Sequence, residues 1–253
     1  MGKNKLKKFA EIEDWDCVLQ YPREKLINEG FPHRGKWNEN IFSKSSPIVL
    51  ELGCGKGEYT VSLAKSNPDS NYIGVDIKGA RLWSGAKQIE KESIPNATLL
   101  RAEIENIDKF FAPGEIDEIW ITFPDPQMQK ARKRLTSSRF MSLYGKILKP
   151  GGIIHLKTDS PFLYEYTKRL VEENGYEVIL ATDDLYGSGK ADPESAIKTF
   201  YEDQWLSRGK KIKLITFRPS FDNPPVEPFA DDIPKDDYRA YTRHTPLTPA
   251  QQP

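Results

Sequence analysis

Glu51-Leu52-Gly53-Cys54-Gly55-Lys56-Gly57 directly follows the apolar run Ile48-Val49-Leu50. Consecutive apolar positions suit a strand buried on both faces. The three alternating glycines end that strand, turn the chain tightly and let bare backbone approach a ligand. The spacing is Gly-x-Gly-x-Gly. A dinucleotide-binding turn reads Gly-x-Gly-x-x-Gly and sets a pyrophosphate at a helix N-terminus. Gly55-Lys56-Gly57-Glu58 lacks that third spacing, and Glu51 and Glu58 would repel a pyrophosphate. A nicotinamide-dependent oxidoreductase is disfavoured on both counts.

Working outward, strands and helices alternate. A helical stretch runs to about Ser66, and Tyr72-Ile73-Gly74-Val75 forms a second strand closed by Asp76. A helix from about Ala80 to Glu92 follows, then a third strand, Ala97 to Leu100. Glu118 to Phe123 is a fourth, halted by Pro124 and Pro126; a helix from Ser137 to Leu148 precedes the turn Pro150-Gly151-Gly152 and a fifth strand, Ile153 to Lys157. After a helix from Phe162 to Asn174, Glu177 to Ala181 and Ile212 to Phe217 give two last strands. The pattern predicts an α/β, doubly wound, seven-stranded and mostly parallel sheet. Residues 1–46 are polar, with Pro22, Gly30, Pro32 and Gly35, and read as a partly irregular N-terminal arm with room for a short helix. Residues 47–219 form the domain. Residues 220–253 are a Pro/Asp-rich tail without periodicity, expected to be extended or mobile.

Ligands of open α/β sheets bind at the carboxyl edge. Three acids stand at three successive strand ends there: Glu51, Asp76 and Glu103. A carboxylate at Glu51 suits a ligand with an ammonium group, such as the methionine part of S-adenosylmethionine. Asp76, about 20 residues beyond the glycine loop, stands where an acid accepts from ribose hydroxyls. Glu103 could face the adenine edge. Phe123-Pro124-Asp125-Pro126 ends the fourth strand on the same edge, its prolines stiffening the backbone around the carboxylate. Lys130, Arg132, Lys133, Arg134 and Arg139 follow. Cations beside a single acid fit an RNA in which phosphates meet the cations and a base meets the acid; taken alone, a charge run more often marks a solvated loop.

Composition adds bounds. The 253 residues allow one sizeable domain with a full core. Lys+Arg and Asp+Glu both number 37, so any nucleic-acid partner must meet a local patch rather than the overall charge. Further candidate phosphate contacts are the N-terminal lysines (Lys3, Lys5, Lys7, Lys8) and Arg208, Lys210, Lys211 and Lys213; Asp231, Asp232, Asp236 and Asp237 offset them in the count. Only Cys17 and Cys54 are present, which disfavours a disulfide framework and points to a reducing, cytoplasmic setting. His33, His155 and His244 lack metal-ligand spacing, so no metal site is expected. No apolar run reaches the roughly 20 residues of a membrane span. Monomer and homodimer are both compatible with the sequence.

The glycine loop, Tyr72-Ile73-Gly74-Val75-Asp76, Phe123-Pro124-Asp125-Pro126, Arg134-Leu135-Thr136 and His155-Leu156-Lys157-Thr158-Asp159 together resemble the bacterial tRNA (guanine-N7-)-methyltransferases. The resemblance runs from about Pro47 to Phe217. The glycine loop is common to many methyltransferases; Pro-Asp-Pro with its basic run, followed by Lys-Thr-Asp, is far more specific. The resemblance implies a Rossmann-like class I methyltransferase fold, S-adenosylmethionine as methyl donor, and 7-methylguanosine at position 46 of the tRNA variable loop as product. It implies Asp125 as the catalytic residue and Glu51, Gly53, Gly55, Gly57, Asp76 and Glu103 as cofactor-binding. It places substrate at Asp159 and in Thr199-Phe200-Tyr201-Glu202, with Lys130 taking the part of a lysine the family has one position earlier, where this chain has Gln129. The family usually has Trp directly after Pro-Asp-Pro; here the residue is Gln127, and the basic loop is about two residues shorter. Other readings compatible with the loop are a class I methyltransferase for another RNA or a small molecule, and a non-catalytic RNA-binding protein of the same fold.

Overall fold

The computed structural model describes residues 2–236; the side chains of Lys3 and Lys5, and residues Asp237 and His244, lie outside what it describes. In chain order the regular elements are α1 (Gly2–Glu13), β1 (Val18–Gln20), α2 (Arg23–Asn28), α3 (Trp37–Asn40), β2 (Ile48–Leu52), α4 (Glu58–Ser66), β3 (Asn71–Asp76), α5 (Gly79–Glu92), β4 (Ala97–Arg101), α6 (Ile107–Phe110), β5 (Ile116–Thr122), α7 (Ser138–Tyr144), β6 (Leu148–Thr158), α8 (Pro161–Glu173), β7 (Glu177–Thr182), α9 (Phe200–Leu206) and β8 (Lys213–Arg218).

One sheet runs β1-β4-β3-β2-β5-β6-β8-β7. The first six strands in that order are parallel; β8 is antiparallel to both β6 and β7. The sheet therefore has eight strands among the described residues where seven were expected. The addition is β1, from the N-terminal segment. Its three residues are too few to show periodicity, but they pair with Leu99, Leu100 and Arg101 and cover the outer edge of β4.

Side chains alternate between two helical layers, as a sheet buried on both faces requires. Ile48, Leu50 and Leu52 of β2 join Ile119 and Ile121 of β5 and Phe162 and Tyr166 of α8 on one face. Val49 joins Tyr59, Val61, Leu82 and Trp120 on the other. The N-terminal segment closes both layers: α1 packs Phe9 and Ile12 against α5 at Gly79, and Trp37 is wholly buried beneath Phe111 with its Nε1 donating to Phe110 O at 3.0 Å.

The chain lays down β2, β3 and β4 in one direction and then returns to add β5 and β6 on the other side of β2. The switch point lies between β2 and β5, whose carboxyl ends carry the glycine loop and Asp125. Residues 219–236 form no helix or strand but pack as an extended strap on α7 and α8. Glu227 accepts from Ser138 N at 3.0 Å and from Tyr166 Oη at 2.5 Å, and Asp232 pairs with Arg169 at 2.6 Å. Asp236 accepts from Phe162 N at 2.9 Å and from Ser160 Oγ.

Candidate active site

Gly53, Gly55 and Gly57 have φ of 77°, 58° and 72°, a region costly for any residue with a Cβ. The loop is anchored from below. Gly53 N and Cys54 N both donate to Val75 O, at 2.8 and 3.0 Å, and Gly55 N donates to Asp76 Oδ2 at 3.0 Å. Asp76 also accepts from Lys78 N at 2.7 Å, so its carboxylate fixes the loop and its own turn together.

Glu51 is buried under the loop. It accepts from Thr60 N at 2.9 Å, from Thr60 Oγ1 and from Thr122 Oγ1 at 2.6 Å. Burial raises its pKa and the negative Asp76 adds to that, while the hydrogen bonds from Thr122 and Thr60 oppose it. Among the described residues, no lysine or arginine makes an ion pair with Glu51 or Asp76. Two carboxylates flanking exposed loop backbone without a cation form a site of negative potential, which favours a positively charged ligand. Glu103, beyond β4, is exposed and accepts from Asn106 Nδ2 at 3.0 Å. Ile77, directly after Asp76, is 52% exposed on the same edge. That exposure was missed from sequence because one isoleucine after a strand carries no signal of it. Cys54 is buried, and that burial pushes its thiol pKa up, the setting of a packed side chain.

Asp125 is exposed on a turn at the end of β5 and accepts from Gln127 N at 3.0 Å. The residues on either side of Pro124-Asp125-Pro126, Phe123 and Gln127, both have φ of 47°. A bulky side chain in that region is strained and persists only where its surroundings hold it. Phe123 N donates to Lys157 O at 2.8 Å. The following loop rests on the glycine loop, since a Cβ at Gly53 would lie 3.8 Å from Leu135 Cδ1.

The basic run divides. Lys130, Arg132, Lys133 and Arg139 are exposed. Arg134, expected among the phosphate contacts, is buried instead. Its Nε donates to Gln127 O at 3.2 Å and its Nη2 to Met128 O at 2.9 Å, with the guanidinium over the rings of Phe162 and Tyr166. It shapes the loop because its planar fork meets two carbonyls while stacking on aromatic faces. Lys211 pairs with Asp184 at 3.0 Å.

Asp159 follows β6 and is buried; its Oδ1 has no hydrogen-bond partner among the described residues. Burial lifts its pKa to about 6, with the nearby Asp236 adding. Thr199 caps α9, its Oγ1 accepting from Glu202 N at 3.2 Å. Tyr201 sets its ring edge-on against Phe123, centroids 5.6 Å apart. Glu202 departs from the expectation of substrate contact: it is fully buried and paired with Lys157 at 2.8 Å, because α9 turns that face into the protein. Helix α4 reaches α9 as well, since Phe200 N donates to Glu58 Oε2 at 2.8 Å and Lys56 lies over the Phe200 ring. The structure thus gathers Glu51, the three glycines, Asp76, Asp125 and α9 around the switch point, with Glu103 beyond the end of β4, two strands from β2.

His155 is structural, stacked on Trp120 at 3.9 Å with Nδ1 hydrogen-bonded to Thr216 Oγ1. Among the described residues, no group of His, Cys, Asp and Glu could hold a metal, and no helix is long and apolar enough to cross a membrane.

A family model described as a putative methyltransferase matches residues 45–215. The tRNA (guanine-N(7)-)-methyltransferase of Bacteroides fragilis is 52% identical over 243 residues, covering 96% of each chain. That of Porphyromonas gingivalis is 55% identical, over 92% of this chain and 96% of its own. Among solved structures, the 16S rRNA methyltransferase KamB shares the fold, with a TM-score of 0.56 at 14% identity over 80% of this chain and 95% of that one. The glycine loop, the acids around it and Pro124-Asp125-Pro126 therefore stand within a family, and the chain belongs to the tRNA (guanine-N(7)-)-methyltransferases.

Proposed function

We propose that this chain methylates N7 of guanine at position 46, in the variable loop of tRNA, using S-adenosylmethionine, as a cytoplasmic monomer or homodimer. The observation that carries the reading is the placement of Asp125, on a proline-braced turn across the switch point from a glycine loop flanked by two carboxylates that make no ion pair among the described residues. Glu51, Asp76, Glu103 and the backbone of Gly53, Gly55 and Gly57 would hold S-adenosylmethionine, which when bound supplies an electrophilic methyl group.

Guanine N7 has an in-plane lone pair and needs no general base. What the protein must provide is alignment, which can contribute roughly 7–11 kcal/mol, and stabilisation of the positive charge that grows on the ring. Asp125 serves both purposes. Its carboxylate can accept from the N1–H and N2–H donors on one edge of guanine, a pair adenine lacks, and it opposes the growing charge. Lys130 and Asp159 would meet RNA, with Thr199 and Tyr201 of α9 as the wall beside them and Glu202 turned inward behind it. The exposed cations Lys130, Arg132, Lys133 and Arg139 would meet phosphates, so binding should weaken steeply with salt.

The test is incubation of the protein with methyl-labelled S-adenosylmethionine and unmethylated tRNA, followed by nucleoside analysis. Label in 7-methylguanosine at position 46 is expected, with Asp125→Asn slowing turnover about 10²-fold. Label in another nucleoside, or none, overturns the reading.

A further inference from the structure

Lys157, near the end of β6, and Glu202, in α9, have no exposed side-chain surface. The Lys157 Nζ donates to Glu202 Oε2 at 2.8 Å, to Ile197 O at 2.7 Å and to Tyr186 Oη at 3.3 Å. Tyr186 Oη in turn donates to Glu202 Oε1 at 2.5 Å. All three ammonium donors and both carboxylate oxygens are thus used inside the protein.

Such a pair is a poor device for stability alone. Desolvating two charges offsets much of their attraction, and apolar residues of similar volume often fold as well or better. What a fully satisfied buried network does supply is a single allowed arrangement of the elements it joins. Here it joins β6, the segment carrying Tyr186 and Ile197, and α9.

The element so fixed touches the catalytic turn. Tyr201 of α9 meets Phe123 edge-on, the Lys157 ammonium lies 5.9 Å from the centre of the Phe123 ring, and the Lys157 carbonyl accepts from Phe123 N. Phe123 has the strained φ of 47° and leads directly into Pro124-Asp125. We propose that Lys157 and Glu202 are positioning residues: they seat α9 so that Tyr201 holds Phe123 in its left-handed turn, and that turn fixes where the Asp125 carboxylate stands. Glu202 then acts through α9 rather than by touching RNA. The proposal rests on the methyl-transfer reading above.

The test uses the full chain with Lys157→Met and Glu202→Met together, so that no lone charge is left buried. The expected result is a melting temperature close to wild type, dissociation constants for tRNA and S-adenosylmethionine within about threefold, and kcat lower by about tenfold to a hundredfold. Tyr201→Ala should lower kcat similarly, and adding it to the double variant should cost little more, because both act by one route. A folded double variant with wild-type kcat overturns the proposal. If the double variant does not fold, Tyr201→Ala and Tyr186→Phe decide. Each must lower kcat more than it weakens tRNA binding, and weakened tRNA binding at unchanged kcat refutes the idea. Failure of the methyl-transfer reading is separate, since the wild-type protein would then yield no 7-methylguanosine.

Discussion

Gly85 lies inside α5, where the helix backbone passes the glycine loop at close range. An alanine Cβ there would stand 2.7 Å from Lys56 O and 3.2 Å from Gly57 Cα, whereas real Cβ atoms essentially never come closer than 3.0 Å. Both obstacles are backbone, so relief requires the loop or the helix to move. Reaching the ordinary contact of 3.4 Å needs a shift of about 0.7 Å. Two effects compete in Gly85→Ala. Helix propensity favours alanine by about 1 kcal/mol, and overpacking costs about 1–3 kcal/mol. They leave a net loss of about 0–2 kcal/mol in stability, and the displacement falls on the loop that would hold the cofactor. A displacement of that size should raise the dissociation constant for S-adenosylhomocysteine about tenfold, equivalent to about 1.4 kcal/mol. Calorimetric titration read beside a thermal melt separates the two effects. A variant that melts like wild type and binds within about twofold of it would show that the loop is not held against α5, and the reasoning would be refuted.

Two further expectations follow from buried charge. Arg134→Lys should slow methylation of tRNA and lower the melting temperature, because one ammonium cannot meet Gln127 O and Met128 O while also stacking on Tyr166; a loss of about 1–3 kcal/mol in chemical denaturation is expected, and wild-type stability would contradict the role given to Arg134. Asp159 has its folded pKa raised to about 6 from 3.8, so its contribution to stability is favourable at low pH and is lost as pH rises through that window. Asp159→Asn should therefore raise the melting temperature at pH 8, with the gain, on the order of 1–3 kcal/mol, shrinking as pH falls from about 6 to about 4; a gain independent of pH would show that desolvation of this carboxyl is not the cause.

Much of the catalytic edge could be read in the chain because central parallel strands bury both faces. Ile48-Val49-Leu50 and Ile119-Trp120-Ile121 are apolar without interruption, and the residues that end such strands stand on the ligand edge by topology. Glu51, Asp76 and Asp125 were legible for that reason. Strand β1 was not, since three residues carry no period and its partner β4 is some 80 residues away. Helix α9 spans barely two turns, too short for an amphipathic pattern to show. The fates of Arg134, Lys157 and Glu202 were hidden for another reason. A charged residue reads as exposed until its partner is known, and the Lys157–Glu202 partnership crosses 45 positions. The substrate-facing acid expected at 202 turned inward on that long-range pair, and the phosphate-facing arginine expected at 134 turned inward on the nearby carbonyls of Gln127 and Met128 and the more distant rings of Phe162 and Tyr166.

The strap of residues 219–236 bears on how the protein is made. Its acids reach Ser138, Tyr166 and Arg169 across separations of 89, 61 and 63 residues, and Asp236 N meets Met128 Sδ across 108. On a ribosome the central strands and the glycine loop emerge long before the strap does. A nascent chain can therefore complete its cofactor half early, whereas the loop around Met128 and the start of α8 lack their last partners until residue 236 has left the exit tunnel. Among the described residues, the loop that carries the basic run and the start of α8 are the last to gain their full set of partners.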